Sequence, residues 1–124
     1  MTAKQERQMF DGFGCVWDVT AAQEIVRERQ QGYVRVADLV GYIHLGVVAV
    51  DKEYAARLSG PREPLIIAPA PRVGNIPIDG WHKVWKAHLD GVEDLPAVLL
   101  TREEEQQIRL INRLADHASG KADE

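Results

Sequence analysis

The segment Pro64-Leu65-Ile66-Ile67-Ala68 constrains this chain more than any other. Three bulky apolar residues stand in a row, and turn-forming residues bound them: Gly60-Pro61 before and Pro69-Ala70-Pro71 after. Successive side chains of a strand point to opposite faces. An uninterrupted apolar run therefore reads as a strand covered on both sides. The remaining segments supply such covers, because strand-like and helix-like patterns alternate along the chain. That alternation predicts a mixed α/β (α+β) domain, with a mixed sheet and packed helices.

The flanking elements follow from local chemistry. Residues 14–19 (GCVWDV) predict a first strand. Thr20-Ala21-Ala22-Gln23 matches a capping box, and Ala22, Ile25, Val26 and Arg29 then share a helical face, with Gly32 as the stop. Val34-Arg35-Val36 alternates as a short strand. Residues 37–44 predict a short helix capped by Asp38, and residues 46–50 fit a strand or a loop. Asp51 caps a small helix over 52–59 that Gly60-Pro61 ends. Pro69-Ala70-Pro71 is expected to interrupt the apolar strand, and residues 75–78 form the next one, short because Pro77 lacks a ladder donor. A helix from about Trp81 to a stop at Gly91 leads to a last strand over 95–100. Thr101-Arg102-Glu103-Glu104 is a second capping box. It opens a final helix with Ile108, Ile111 and Ala115 on one side and Leu110 and Leu114 beside them. One domain over 10–117 between flexible tails, 1–9 and 118–124, is the resulting expectation.

Bulk properties remove several functions. The formal net charge of -4 argues against a dedicated nucleic-acid binder, which usually carries a basic excess. Cys15 is the only cysteine, so an internal disulfide cannot form and a Cys-based zinc site is not expected. The polar start MTAKQERQMF lacks the apolar run of a signal peptide, and no apolar segment approaches the length of a membrane span. A cytoplasmic location is the matching expectation.

The candidate site is Asp79-Gly80-Trp81-His82-Lys83 at the start of a helix. A helix N-terminus carries unpaired N–H groups and a partial positive charge. Gly80 allows close approach of a ligand to the backbone, and Lys83 adds a cation, which together suit a phosphate. Asp79 opposes an anion, so its roles would be to cap the helix, to bind a magnesium ion carried by the ligand, or to orient His82. On the residues alone the plainer reading is favoured: a turn and a cap, with Lys83 and Lys86 as a solvated face. Trp81, Val84, Trp85 and His88 share a helical side, a pattern more typical of core. His82 and His88 are six apart and point about 120° from each other on a regular helix, so they cannot chelate one metal.

The whole string resembles the central motif of the ParB/sulfiredoxin superfamily. It comprises the strand Glu63-Pro64-Leu65-Ile66-Ile67, then Ile78-Asp79-Gly80-Trp81-His82-Lys83, Ala87, Gly91 and Leu95-Pro96-Ala97-Val98. The clear match covers roughly residues 60–100. The resemblance implies a small, stand-alone nucleotide-binding domain with CTP or ATP as ligand, Mg2+ beside it, and the phosphates at the helix start. Carried over by position, the cradle is Gly80, the Trp81 backbone, His82 and Lys83. Trp81 stands where sulfiredoxins have their nucleophilic Cys, so sulfinic-acid reduction is not expected. Lys83 stands where the family has Arg and lacks the bidentate fork. The DNA-binding and dimerisation regions of a partition protein have no counterpart in these residues, so a complete partition protein is not expected.

Other residues complete the inventory. Arg72, in the Pro-rich loop before the motif, is a candidate phosphate contact. Asp18 is read first as a turn carboxylate and second as an acid facing a pocket. Cys15 is read as core. His44 is read as structural before ligand-facing, Glu53 and Tyr54 as candidate base or ribose contacts, and Glu103 to Glu105 as a solvated helix start. Two functions follow. The first is nucleotide binding with nucleotide hydrolysis or phosphotransfer, with His82 and Asp79 as catalytic candidates and Asp79 as metal ligand. The second is a non-enzymatic DNA- or protein-binding accessory module of a plasmid, phage or chromosome, with a degraded nucleotide site.

Overall fold

The computed structural model describes residues 6–59 and 63–114. It has the mixed α/β architecture expected from the sequence, with two sheets and five α-helices among the described residues. The larger sheet has the order β3 (Gly32–Arg35), β6 (Asp94–Leu99), β4 (Leu65–Ala70), β5 (Gly74–Asp79). Strands β4 and β6 are parallel, with Leu65 opposite Ala97 and Ile67 opposite Leu99, whereas β3 and β5 join them antiparallel. The smaller sheet is antiparallel, with β2 (Cys15–Asp18) between β1 (Met9–Gly12) and β7 (Arg109–Asn112).

Strand β4 is covered on both faces. Ile66, Ala68 and Ala70 belong to a core with Trp17, Val98 and Ile108. Leu65 and Ile67 belong to a second core with Trp81, Val84 and Ala87 of α4 (Trp81–Asp90). Full burial of Leu65, Ile66 and Ile67 contributes about 1.5–3 kcal/mol each, which is why this run fixes the layers. Contrary to expectation, Pro69 does not interrupt the strand, which continues to Ala70; β5 is an edge strand and pairs only on its β4 side.

Several local expectations change. The first helix, α1 (Val19–Ile25), is capped by Asp18, which accepts the Ala21 N–H at 2.9 Å, and not by Thr20. Thr20 instead accepts the Gln8 N–H at 2.7 Å. Starting at Val19 lets the helix bury Val19 and Ala22, and it ends well before Gly32, which opens β3. The expected tail is ordered from Arg7 at least: Arg7 pairs with Asp18, and Met9 begins β1. Residues 36–44 divide into a 3₁₀ turn (Val36–Asp38) and α2 (Val40–His44), and Asp38 caps neither. The segment 46–50 is a loop. Asp51 caps α3 (Lys52–Ala56) as expected, accepting the Tyr54 N–H at 3.0 Å, but the helix ends at Ala56 and not at 59, and the expected stop at Gly60-Pro61 lies outside the described residues.

The largest difference is at the C-terminal side. The capping box at Thr101 forms, with reciprocal bonds of 3.1 and 2.9 Å to Glu104. The helix it opens, α5 (Arg102–Ile108), is short. At Arg109 the backbone straightens into β7, which pairs with the open edge of β2. Pairing satisfies the backbone of two strands at once, which a longer helix would not. Leu110 and Ile111 stay largely exposed, Leu114 lies against Gly14, and Ala115 falls outside the described residues. No helix among the described residues is long and apolar enough to cross a membrane.

Candidate functional site

Strand β5 delivers the chain to α4 through Gly80. This residue has φ +106°, in the range that favours glycine, and a Cβ built there would lie 2.3 Å from Leu65 Cδ2. Close packing on a buried leucine, together with the backbone geometry, therefore demands glycine here. Gly80 offers no capping side chain. The Lys83 and Val84 N–H groups bond to the Gly80 carbonyl at 2.9 and 3.2 Å, so the Trp81 and His82 N–H groups are the ones left without an intrahelical acceptor or a side-chain cap. The turn and the helix start line a cleft of about 350 Å3 together with Asp79, His82, Gln8 and an apolar wall that includes Met9, Phe10 and Val48.

The side chains of the motif are deployed differently from the sequence-based expectation. The Trp81 ring is core: it is buried, donates its indole N–H to the Pro77 carbonyl at 2.8 Å, and packs among Phe13 and Tyr42. His82 Nε2 accepts the Asp51 N–H at 3.0 Å, and its ring meets Tyr54 edge-on at 5.2 Å. That bond requires an unprotonated Nε2 and uses its lone pair. His82 thus fastens α3 to α4. Lys83 Nζ donates to the Glu63 carbonyl at 2.8 Å, holding the entry to β4. Asp79 neither caps α4 nor orients His82; its Oδ2 accepts a bond from Gln23 Nε2 at 3.2 Å. The cleft lining contains no lysine or arginine.

Arg72 is not part of this arrangement. It sits in the turn between β4 and β5, while the motif begins at the other end of β5. Six residues of strand separate them, a span of about 20 Å. His44 also lies elsewhere, against Trp85 and His88 farther along α4, with ring centroids 5.6 and 5.4 Å away. Lys52 sits 4.6 Å above the Trp85 ring and completes that cluster.

Asp18 keeps the local carboxylate role expected first from the sequence, whereas Glu105 does not fit the expected solvated helix start. Asp18 is held below the usual carboxylate range: burial pushes it upward, but the Ala21 N–H and Arg7 together outweigh that. Its bonds tie it to the α1 cap, leaving it no part in the cleft. Glu105, expected in a solvated helix start, is 1 % exposed. It accepts the Trp17 indole N–H at 2.7 Å and two Arg109 bonds at 2.8 Å. Burial alone would raise its pKa, yet Arg109 and Trp17 hold it lowered and charged. The clues lay in the sequence: Arg109 is one helical turn from Glu105, and a buried indole needs an acceptor.

Magnesium is compatible with the cleft to a limited degree. No group of three or more His, Cys, Asp or Glu is gathered to hold a metal among the described residues. Mg2+ is commonly held by one or two carboxylates plus substrate phosphates and water. Asp79 can supply one such carboxylate, with the ligand supplying the rest. No family model, curated protein or solved structure matches the chain.

Proposed function

We propose that this chain is a ParB/sulfiredoxin-like domain that binds a nucleoside triphosphate, CTP or ATP, with its phosphates at the start of α4. One observation carries the reading: an uncapped helix of ten residues opens onto a cleft whose other wall is apolar. The Trp81 and His82 N–H groups would hold phosphate oxygens, and the base would lie against Met9, Phe10 and Val48. Asp79 would hold Mg2+ brought by the nucleotide. Lys83 serves by holding the Glu63 carbonyl and adding its field to the helix end. Binding, not turnover, is the activity proposed, because His82 spends its Nε2 lone pair on Asp51 and is not a base aimed at the cleft.

Thermal-shift titration with ATP, CTP and GTP, with and without Mg2+, tests this. A nucleotide at about 100 times its Kd adds roughly 2.7 kcal/mol, a shift on the order of 10 °C for a domain of this size. Met9→Glu places a carboxylate in the cleft at an exposed position and should abolish the shift. A shift that survives Met9→Glu would put the ligand elsewhere. No shift with any nucleotide would refute the reading and favour the DNA- or protein-binding accessory module, which the lack of a cation in the cleft lining also supports.

A further inference from the structure

The turn between β4 and β5 takes Arg72 to a separate cavity of about 400 Å3. Its wall carries three arginines, Arg72, Arg102 and Arg109, with Glu105, Gln106 and Asn75. Three strands of observation converge there.

The first is charge. Glu105 takes the Nε and Nη2 groups of Arg109, which neutralises one of the three guanidiniums and leaves Arg109 Nη1 for another partner. Arg72 and Arg102 have no ion pair among the described residues. The pocket thus has a positive excess within a chain of net charge -4. A local positive excess of this kind attracts anions.

The second is backbone. The Val73 N–H donates to the Ala70 carbonyl at 3.2 Å, closing a turn with Pro71 and Arg72 in its centre. Arg72 has φ +66°, a conformation for which this turn position favours Gly or Asn. Phe13 is the other non-glycine residue with positive φ among those described, and its ring is packed on Phe10, Tyr42 and Trp81. Arg72 is exposed and has no such packing to explain it. Arg72 lines this cavity.

The third is rigidity. The buried Glu105, fixed by Trp17, takes the Nε and Nη2 groups of Arg109 and so holds its remaining Nη1 group in place before any ligand arrives. Preorganised guanidinium groups match the oxygens of phosphate bidentately, which an ammonium cannot do.

We propose that this pocket binds the phosphate group of a small phosphorylated molecule. Its volume suits a compact ligand, and the overall negative charge of the chain disfavours a polyanion such as nucleic acid. The site is separate from the start of α4 and does not depend on the nucleotide reading.

The test follows arginine Nε–H signals by NMR while inorganic phosphate, or a sugar monophosphate, is added at constant ionic strength against chloride. Saturable shifts at Arg72, Arg102 and Arg109 are expected. Arg72→Gln combined with Arg102→Gln should weaken binding at least tenfold while leaving the rest of the spectrum in place, since both side chains are exposed. The matching pair of Lys substitutions keeps the charge but loses the fork, and should fall between. Met9→Glu, in the α4 cleft, should leave this binding unchanged, so failure here and failure of the nucleotide reading are separable. Shifts that never saturate, equal affinity in the Gln variant, or tighter binding of a single-stranded oligonucleotide at equal phosphate concentration would each overturn the proposal.

Discussion

Replacing Gly80 by Ala isolates the joint on which the candidate site turns. Two costs combine. An L-residue at φ +106° lies outside the common right-handed wells, and left-handed backbone costs about 1–2 kcal/mol. The new methyl would also stand 2.3 Å from Leu65 Cδ2. Leu65 is fully buried, so it can escape only by an off-rotamer shift into a packed core, at about 1–3 kcal/mol. The sum is about 2–5 kcal/mol, or a loss of roughly 10–20 °C in Tm for a domain of this size. Urea and thermal unfolding of the purified variant measure it. A double-mutant cycle with Leu65→Ala separates the parts. The clash vanishes in the double variant, so the two substitutions should couple by about 1–3 kcal/mol. A loss below about 1 kcal/mol, or additivity within about 0.5 kcal/mol, would refute the claim that Gly80 is required by close packing on Leu65.

Three further outcomes test the electrostatics and burial. Glu104, bonded by Arg29 and the Thr101 backbone, has its pKa lowered to about 2 from 4.5, with Arg29 the main cause. Its stabilisation is present above pH 4.5 and lost as pH falls toward 2, so Glu104→Gln should cost about 2–3 kcal/mol at pH 7 and progressively less in urea titrations at lower pH. Glu105→Ala leaves the Trp17 indole N–H without its acceptor and Arg109 without its partner, and should cost about 3–5 kcal/mol by equilibrium unfolding. Cys15 is fully buried, and burial is the leading cause of its raised pKa; a thiol reagent should therefore label it only at the rate of unfolding.

Much of the architecture was legible because it depended on local chemistry. The β4 run, the Asp51 cap, the Thr101 capping box and the Gly91 stop each rest on a few adjacent residues. The misreadings arose where distant partners decide. Asp18 and Thr20 are comparable caps, and Gln8, outside the helix, engages Thr20. Strand β1 is hidden in the sequence because its only core-facing aromatic is Phe10 and its two-residue turn has Phe13 at φ +53° before Gly14, where Asn or Asp is the usual signal. Strand β7 reads as helix until β2 offers it an edge. At the candidate site, the sequence identified the helix start and its glycine. It could not show that Asp51 and Glu63 engage His82 and Lys83, because those bonds span 31 and 20 residues.

The pairing of β2 with β7 also bears on how the protein is made. Cys15 lies opposite Asn112, so the small sheet joins the two ends of the described chain. During synthesis, β2 emerges well before β7 and has only β1 beside it until that later segment has been produced. Closing so long a loop is slow compared with forming hairpins and helices. Trp17 shares this timing, because its indole acceptor, Glu105, arrives on the same late segment. The core around Trp17 is therefore completed only when β7 arrives, and a ribosome-bound chain stopped short of β7 should leave Trp17 unsealed.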